Sequence, residues 1–172
     1  TQVVIIPIFK DDEEKAKTVE AAQKIKGTLK SLGVRVHIDD RDQYRPGWKF
    51  NEWEIKGVPI RMELGPKDLA AGQVICARRD KTEKTDKVTM KTDEVASKIP
   101  ALLDDIQKNL FDRAKKFRDD NTFFVSDYAQ LKKLMEENAG FAKCFWAGSR
   151  EDEAKIKEET KATIRCIPME QS

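Results

Sequence analysis

The stretch QVVIIPIFKDDEEKAKTVEAAQKIKGTLKSLGVRVHID, residues 2–39, decides the fold. Its beginning is short, apolar and β-branched, which is typical of a buried strand, and its end alternates like a second strand. Between them, apolar residues recur every three or four positions from Val19 to Leu32, which predicts a helix with one buried face. Gly33 ends that helix, at a position where a positive φ is favourable. This strand–helix–strand unit predicts a parallel pair joined by a right-handed crossover.

The residues that follow complete this sheet. The segment WKFNEWEIKG (48–57) is typical of a short amphipathic helix. VPIRMEL (58–64) and QVICARR (73–79) predict two more strands, which are separated by a single helical turn. KVTMKT (87–92) predicts a last strand, which pairs with QVICARR as a hairpin. The sequence therefore predicts an α/β fold, a mixed five-stranded sheet with flanking helices.

The second half of the chain predicts a smaller α/β domain. An apolar stripe from Leu102 to Phe117 predicts a long helix, with Pro100 as its first residue. We therefore place the first domain at residues 1–98 and the second at residues 99–172. Within the second domain, the remaining pattern predicts a helix at 127–138, a strand at 141–148, a helix at 150–161 and a strand at 162–169.

Composition excludes several classes of protein. The 172 residues contain 33 basic and 31 acidic side chains, so this is not a strongly basic chain that coats nucleic acid non-specifically. Recognition of a few exposed bases stays open, because it needs only local charge. No apolar run approaches the ~18 residues of a membrane span, so no membrane partner is predicted. Three cysteines without a CxxC pair favour a reduced, cytoplasmic setting, and a first residue of Thr suggests a piece of a longer chain.

The common catalytic patterns are missing from the sequence. The single histidine, His37, lies within a predicted strand and is expected to be structural. No GxxxxGK[ST] or GxGxxG loop is present, so no ATP or dinucleotide site of the usual form is encoded. Cys144 and Cys166 lie in apolar, strand-like settings and are expected to be small core residues. An independent enzyme is therefore disfavoured.

Aromatic residues interleaved with charged ones distinguish the first half of the chain. Tyr44, Trp48, Phe50 and Trp53 lie close together, among arginines, lysines and glutamates. At helical spacing, such rings can form the core face of a short helix. They can also form a site for single-stranded RNA, in which rings stack on bases and polar groups read base edges. The pattern leaves both interpretations open.

The run from residue 39 to residue 80 resembles the anticodon-binding domain of prolyl-tRNA synthetases, in their archaeal and eukaryote-like form. The motifs PGWKFNEWEIKGVP and RMELGPKDL carry the resemblance, and NLFDRA (109–114) and IKEETKATIRCIP (156–168) extend it to the C-terminal domain of that form. The resemblance implies that the chain binds the anticodon of proline tRNA, as a non-catalytic part of a class II ligase. In such a ligase, ATP and Mg²⁺ bind in a catalytic domain expected to precede Thr1, so no cofactor is expected in this chain. That catalytic domain is also expected to carry the homodimer interface.

The resemblance also implies which residues contact the RNA. Proline anticodons end in two guanines, whose N–H groups suit a carboxylate and whose O6 and N7 atoms suit Arg or Lys. In the family, a glutamate, an arginine seven residues later and a lysine in the following loop read these bases. Glu54 and Arg61 match the first two, and Lys84 is the expected lysine, with Lys81 as its substitute. Phe50 is the expected stacking ring.

The second domain departs from its family at the metal site. Many members bind a structural zinc through cysteines, with the first pair in a loop after the penultimate strand. This sequence has Ala147 and Asp152 at those positions. Since a structural zinc site needs four ligands of suitable type and spacing, no metal ligand is predicted.

One alternative function belongs to a different class. The same fold is reused in accessory subunits and regulators that no longer bind tRNA, so a protein–protein interaction module is the alternative. The two functions differ in one measurable property. A tRNA reader loses affinity when both anticodon guanines are replaced, whereas an interaction module is indifferent to that change.

Overall fold

The computed structural model describes residues 1–81, 87–137, 140–167 and 169. The chain divides into two compact units, Thr1–Asp112 and Arg113–Ser172. This division lies later in the chain than the domain boundary that the sequence predicts between residues 98 and 99. The domain boundary itself stays a prediction.

A mixed five-stranded sheet forms the first unit. The strand order is β2-β1-β3-β4-β5, in which β1 pairs in parallel with β2 and β3, whereas β4 is antiparallel to both β3 and β5. The predicted α/β class and the final hairpin are therefore confirmed. The elements are β1 Val3–Pro7, α1 Asp12–Ser31, β2 Val36–Ile38, α2 Pro46–Ile55, β3 Ile60–Leu64, α3 Pro66–Ala70, β4 Gln73–Arg78, β5 Lys87–Lys91, a 3-10 turn Thr92–Glu94 and α4 Val95–Asp120, which continues into the second unit.

The two faces of this sheet are covered unequally. Alternate side chains of a strand point to opposite faces, and Val3 and Ile5 of β1 lie in the main core with apolar residues of α1 and α4. Val4 and Ile6 point the other way, into a smaller cluster with Trp53 of α2. Helix α2 packs against β1 on that second face. The side chains that β4 and β5 place on the same face are half-buried or exposed: Gln73, Ile75, Ala77, Lys87, Thr89 and Lys91.

The three cysteines have contrasting environments. Cys76 of β4 is fully buried in the main core, and burial raises the pKa of its thiol to about 12. Cys144 and Cys166 are exposed, so the prediction that they are small core residues is wrong. The reason is that the strand before Cys144 ends at Lys143, and no strand forms around Cys166 within the described residues.

Helix α4 begins earlier than the sequence predicts. It starts at Val95, and Pro100 lies inside it, so the prediction that Pro100 is the first residue is wrong. A proline inside a helix removes one backbone hydrogen bond. Val95 and Ile99 are buried in the main core, and this packing holds the first turn in helical form despite the lost bond.

The second unit is smaller and has short strands. β6 and β7 pair in parallel. Gly140 lies just before β7, and an added Cβ there would lie 2.7 Å from the backbone oxygen of Asn121. The strand predicted at 162–169 is wrong over its described residues, 162–167 and 169, which form no strand. The strand predicted at 141–148 ends at Lys143. Within the described chain, no helix has the length and hydropathy to cross a membrane. The elements of this unit after α4 are β6 Thr122–Phe124, α5 Tyr128–Glu137, β7 Phe141–Lys143 and α6 Arg150–Thr160.

Candidate nucleic-acid interface

One flank of helix α2 carries two of the residues predicted to contact RNA. Lys49 and Trp53 are buried beneath the helix, so Phe50 and Glu54, which are one turn apart, lie together on its side. Phe50 is half-buried against the small cluster of the second face, and Glu54 is exposed. Within the described residues, no side chain donates a hydrogen bond to the Glu54 carboxylate. Glu54 therefore presents to solvent a carboxylate that accepts no hydrogen bond from the described side chains.

The turn between α2 and β3 connects the helix that carries Glu54 to the strand that carries Arg61. Gly57 has a φ of 74°, and its backbone oxygen accepts a hydrogen bond from Arg79 Nη1 at 3.1 Å. An added Cβ at Gly57 would meet only the end of the flexible Arg79 side chain, so the positive φ is the reason that glycine suits this turn.

Arg61 projects from β3 beside the exposed flank of α2. Its guanidinium carbon lies 4.4 Å from the centre of the Phe50 ring, which is a cation–π contact. Its side chain is 19% exposed. Because Phe50 neighbours both Arg61 in space and Glu54 along α2, the three side chains lie on the same side of the sheet. The structure thus brings together Glu54, Phe50 and Arg61.

Two charged residues that the sequence analysis did not single out complete this surface. Glu63, two residues after Arg61 on the same face of β3, is only 6% exposed. Its Oε1 accepts from Nε and Nη2 of Arg61, each at 3.4 Å, and its Oε2 accepts from Lys87 Nζ at 2.8 Å. Strand pairing places Ala77 between Arg61 and Lys87. The signal in the sequence was the pair of charges at alternate positions of an otherwise apolar strand. We call Arg61, Glu63 and Lys87 the charged row.

Of the two lysines predicted to contact RNA, the structure describes only Lys81. Lys81 is exposed and directly follows Asp80, whose buried carboxylate accepts from Arg78 at 2.9 and 2.7 Å and from Asn109 Nδ2 at 2.6 Å. These bonds tie the end of β4 to α4, and Lys81 extends from that fixed point into solvent. Lys84 lies outside the described residues, so its predicted role stays a prediction.

The opposite flank of α2 holds a closed cluster centred on Asp39, which we call the Asp39 cluster. The Asp39 carboxylate is buried and accepts hydrogen bonds from Arg41, twice at 2.8 Å, and from Trp53 Nε1 at 2.7 Å. The ammonium of Lys49, also buried, donates to the Asp39 backbone oxygen at 3.1 Å. Burial raises the pKa of Asp39, but the bonds from Arg41 and Trp53 and the charge of Lys49 outweigh it and lower the pKa to about 2. Trp53 is therefore a core residue.

The remaining aromatic residues stack on their own neighbours. The rings of Tyr44 and Trp48 are stacked with centroids 4.0 Å apart, and the Arg41 guanidinium lies 4.9 Å from the Tyr44 ring. His37 is exposed and packs against Trp53 with ring centroids 4.9 Å apart, and partial desolvation lowers the pKa of the imidazole. Its expected structural role stays a prediction. Of the four rings considered in the sequence, only Phe50 adjoins Arg61.

The groups on the exposed flank of α2 are suited to recognising a ligand. It offers an exposed carboxylate, a guanidinium fork, an aromatic ring and an ammonium group, which are groups that bind the edges, faces and phosphates of unpaired nucleotides. Within the part of the chain that the structure describes, no group of three or more His, Cys, Asp or Glu side chains is arranged to hold a metal ion.

Comparison with known proteins identifies the class to which this fold and surface belong. Residues 2–102 match a family model described as an anticodon binding domain, and the chain belongs to this family. Residues 128–172 match a second model, described as the C-terminal region of prolyl-tRNA synthetase. Together the two matches confirm the resemblance to prolyl-tRNA synthetases.

Individual relatives agree with this assignment. The proline–tRNA ligase of Roseiflexus sp. (strain RS-1) is 49% identical over 99% of this chain, and that of Chloroherpeton thalassium (strain ATCC 35110 / GB-78) is 50% identical over 98% of it. The crystal structure of prolyl-tRNA synthetase from Cryptosporidium parvum, complexed with L-proline and AMP, covers 99% of this chain with 36% identity and a TM-score of 0.82. The chain spans only 35%, 34% and 36% of the lengths of these three proteins.

Proposed function

We propose that this chain binds the anticodon of proline tRNA, as the RNA-recognition part of a proline–tRNA ligase. The observation that carries the proposal is the grouping of an exposed carboxylate, Glu54, and a guanidinium, Arg61, around the Phe50 ring. Membership of the anticodon-binding family and the ligase relatives support it.

Each group suits one part of an unpaired guanine. The N1–H and N2–H₂ donors of the Watson–Crick edge pair with the free carboxylate of Glu54, and O6 and N7 accept from Arg61. The guanidinium carbon of Arg61 lies 4.4 Å from the centre of the Phe50 ring, so the ring and the guanidinium adjoin and can both stack on a base. Lys81 and Lys84, in the segment between β4 and β5, supply further positive charge for the RNA.

In this proposal, the chemical steps of the ligase take place outside this chain. Activation of proline by ATP and Mg²⁺ is assigned to a catalytic domain outside this chain, and so is the homodimer interface of the complete enzyme. The comparison supports this division, because the chain spans about 35% of the length of its ligase relatives. Within the cell, we place this function in the cytoplasm, where protein synthesis uses tRNA.

A binding comparison tests the proposal directly. The RNA is the anticodon stem-loop of proline tRNA, and the matched RNA has adenine in place of both guanines, which reverses the donor and acceptor pattern. Because a good bidentate base contact contributes about 1–3 kcal/mol of discrimination, we expect the chain to bind the guanine form at least ~10-fold more tightly. Both titrations use one salt concentration, since affinity for RNA depends strongly on salt. Equal affinity for the two RNAs contradicts the proposal and favours an interaction module.

A further inference from the structure

We propose that Lys87 is a further RNA-binding residue of this site, and that Glu63 is a positioning residue that holds Lys87 and Arg61 in fixed places. The inference rests on the proposed function and adds a phosphate contact to it. It is carried by the geometry of the charged row on the exposed side of the sheet.

The charge balance of the row is the first step. Glu63 is buried, and its two carboxylate oxygens are shared between two cations, Arg61 at 3.4 Å and Lys87 at 2.8 Å. One carboxylate neutralises only one of these cations, so the row keeps a net charge of +1. The whole chain has a net charge of only +2 among 33 basic and 31 acidic residues. The row therefore supplies the local positive charge that binding to a phosphate backbone needs.

The placement of Lys87 is the second step. It is the first residue of β5, and 36% of its side chain is exposed. An ammonium group has three donors, and the described contacts use one of them, on Glu63. Within the described residues, Glu63 Oε2 is the one oxygen that accepts from this ammonium, and the exposure of the side chain leaves the other two donors accessible to a ligand on the surface.

The spacing between the two cations is the third step. Arg61 and Lys87 lie on either side of Ala77 in the strand pairing. Adjacent strands are about 4.8 Å apart, so the backbones of β3 and β5 are separated by roughly 10 Å. The residue between the two cations, Ala77, has a small side chain. A guanidinium fork suits a base edge, whereas an ammonium acts as a point charge for phosphate. We therefore assign the base edge to Arg61 and an adjacent phosphate to Lys87.

The role of Glu63 is the fourth step. The Arg61 guanidinium is held between the Phe50 ring at 4.4 Å and the Glu63 carboxylate at 3.4 Å. Two contacts from different elements define its orientation. The distance to Glu63 is long for a hydrogen bond, so the guanidinium keeps donors for a ligand. Removing the charge of Glu63 therefore removes one of the two contacts that orient Arg61. It also raises the net charge of the charged row by one.

The test measures affinity for the guanine stem-loop and the adenine-substituted stem-loop, with the intact 172-residue chain, at several salt concentrations. Lys87→Ala is expected to weaken binding of both RNAs several-fold, to leave their ratio unchanged, and to reduce the salt slope by about 0.7, the value for one phosphate contact on a single strand. Lys30→Ala is the matched control, because Lys30 is an exposed lysine of α1, on the opposite layer of the sheet, and its loss is expected to change neither quantity.

Glu63→Gln is expected to give a different signature. The ratio of the two affinities falls by about the tenfold assigned to an oriented base contact, while affinity for the adenine form stays equal or rises. A purely structural role would instead lower both affinities together. Glu63→Asp, which keeps the charge on a shorter arm, is the second variant if the Gln variant does not fold, and it is expected to lower the ratio in the same direction. Circular dichroism at 222 nm and thermal unfolding check the fold of each variant.

The results that overturn the inference are separate from those that overturn the proposed function. If wild type distinguishes the two RNAs but Lys87→Ala behaves like Lys30→Ala, then Lys87 is no RNA contact. If a folded Glu63 variant keeps the wild-type ratio, or loses affinity for both RNAs equally, then Glu63 is no positioning residue. If wild type itself binds both RNAs equally, the proposed function fails.

Discussion

Two clusters of charged residues lie on either flank of α2, and each places a carboxylate among cations. In the Asp39 cluster, the carboxylate is buried, and the hydrogen bonds that it accepts from Arg41 and Trp53 measure 2.7 or 2.8 Å. In the charged row, the Arg61 contacts to Glu63 are 3.4 Å long and the Lys87 side chain is 36% exposed. The same chemical groups therefore form a closed structural cluster on one flank and an open surface on the other.

The difference follows from how completely the groups are satisfied. A buried charge is stable only when it is paired and hydrogen-bonded, and the bonds to Asp39 from Arg41 and Trp53 meet this condition. Groups that are partly exposed can exchange a protein contact for a ligand contact, because water forms hydrogen bonds with them while no ligand is bound. Removing members of the two clusters should therefore have different effects: loss of stability in the Asp39 cluster, and loss of recognition at the charged row.

The largest effect is expected for Asp39→Ala. The change removes the counter-charge of the buried Lys49 and of Arg41, and breaking a buried ion pair from one side typically costs about 3–5 kcal/mol of unfolding free energy. Urea unfolding followed by circular dichroism measures it. Asp42→Ala is the control, because the Asp42 carboxylate is 67% exposed in its pair with Lys15 and an exposed pair is worth about 1 kcal/mol or less. Equal losses for the two variants contradict the comparison.

The next effect is the pH dependence of stability through Asp39. Its pKa is about 2 in the folded protein, below its ordinary value of 3.8. The charged form therefore stabilises the folded state above about pH 4, and this contribution of about 2 kcal/mol is lost as the pH falls from about 4 to about 2. Unfolding free energies of wild type and Asp39→Asn across this range isolate it, because the Asn side chain does not titrate there. Identical pH slopes for both proteins are incompatible with this assignment.

A third effect concerns recognition at the exposed flank. In a full-length ligase that contains this chain, Glu54→Ala and Arg61→Ala are each expected to lower aminoacylation of proline tRNA about ten- to a hundredfold, the value of one lost base contact. Activation of proline, measured by ATP–pyrophosphate exchange, should stay unchanged because the catalytic groups are elsewhere. Unchanged aminoacylation in both variants refutes the site.

The smallest effect is expected for an exposed lysine outside both clusters. Lys155 lies on α6 in the second unit and is exposed. Lys155→Ala removes one solvated charge, and such surface changes alter stability by less than about 0.5 kcal/mol. Binding of the proline stem-loop should change by less than about twofold. A larger loss would show that the RNA surface extends beyond the first unit.

The fold of the first unit could be predicted because its signals are local and repeated. Gly33, with a φ of 78°, ends the first helix as predicted, and the hairpin of β4 and β5 is correct. The failures have physical causes. β6 has only three residues, too few to show a period, and burial of Val95 and Ile99 extends α4 to the N-terminal side of Pro100.

The site could be predicted only in part. The family motif predicts Glu54 and Arg61, and the structure places Arg61 beside Phe50, one helical turn from Glu54. Their role in RNA binding stays a prediction. Lys87 was missed because its relation to Arg61 and Glu63 depends on the register of two strand pairs, which the sequence pattern does not define. Asp39 was missed because nothing in the sequence indicates that a lysine, Lys49, is buried beside it.

The buried thiol of Cys76 makes the opening of this sheet measurable. Only thiolates react readily with alkylating reagents, and a thiol with a pKa of about 12 inside the core is protected while the sheet is intact. Cys144 and Cys166 are exposed and are labelled at once. After that rapid phase, the slow labelling of Cys76 reports how often the strands separate. Comparing this rate with and without the stem-loop RNA therefore shows whether ligand binding suppresses the opening of the first unit, without an engineered cysteine.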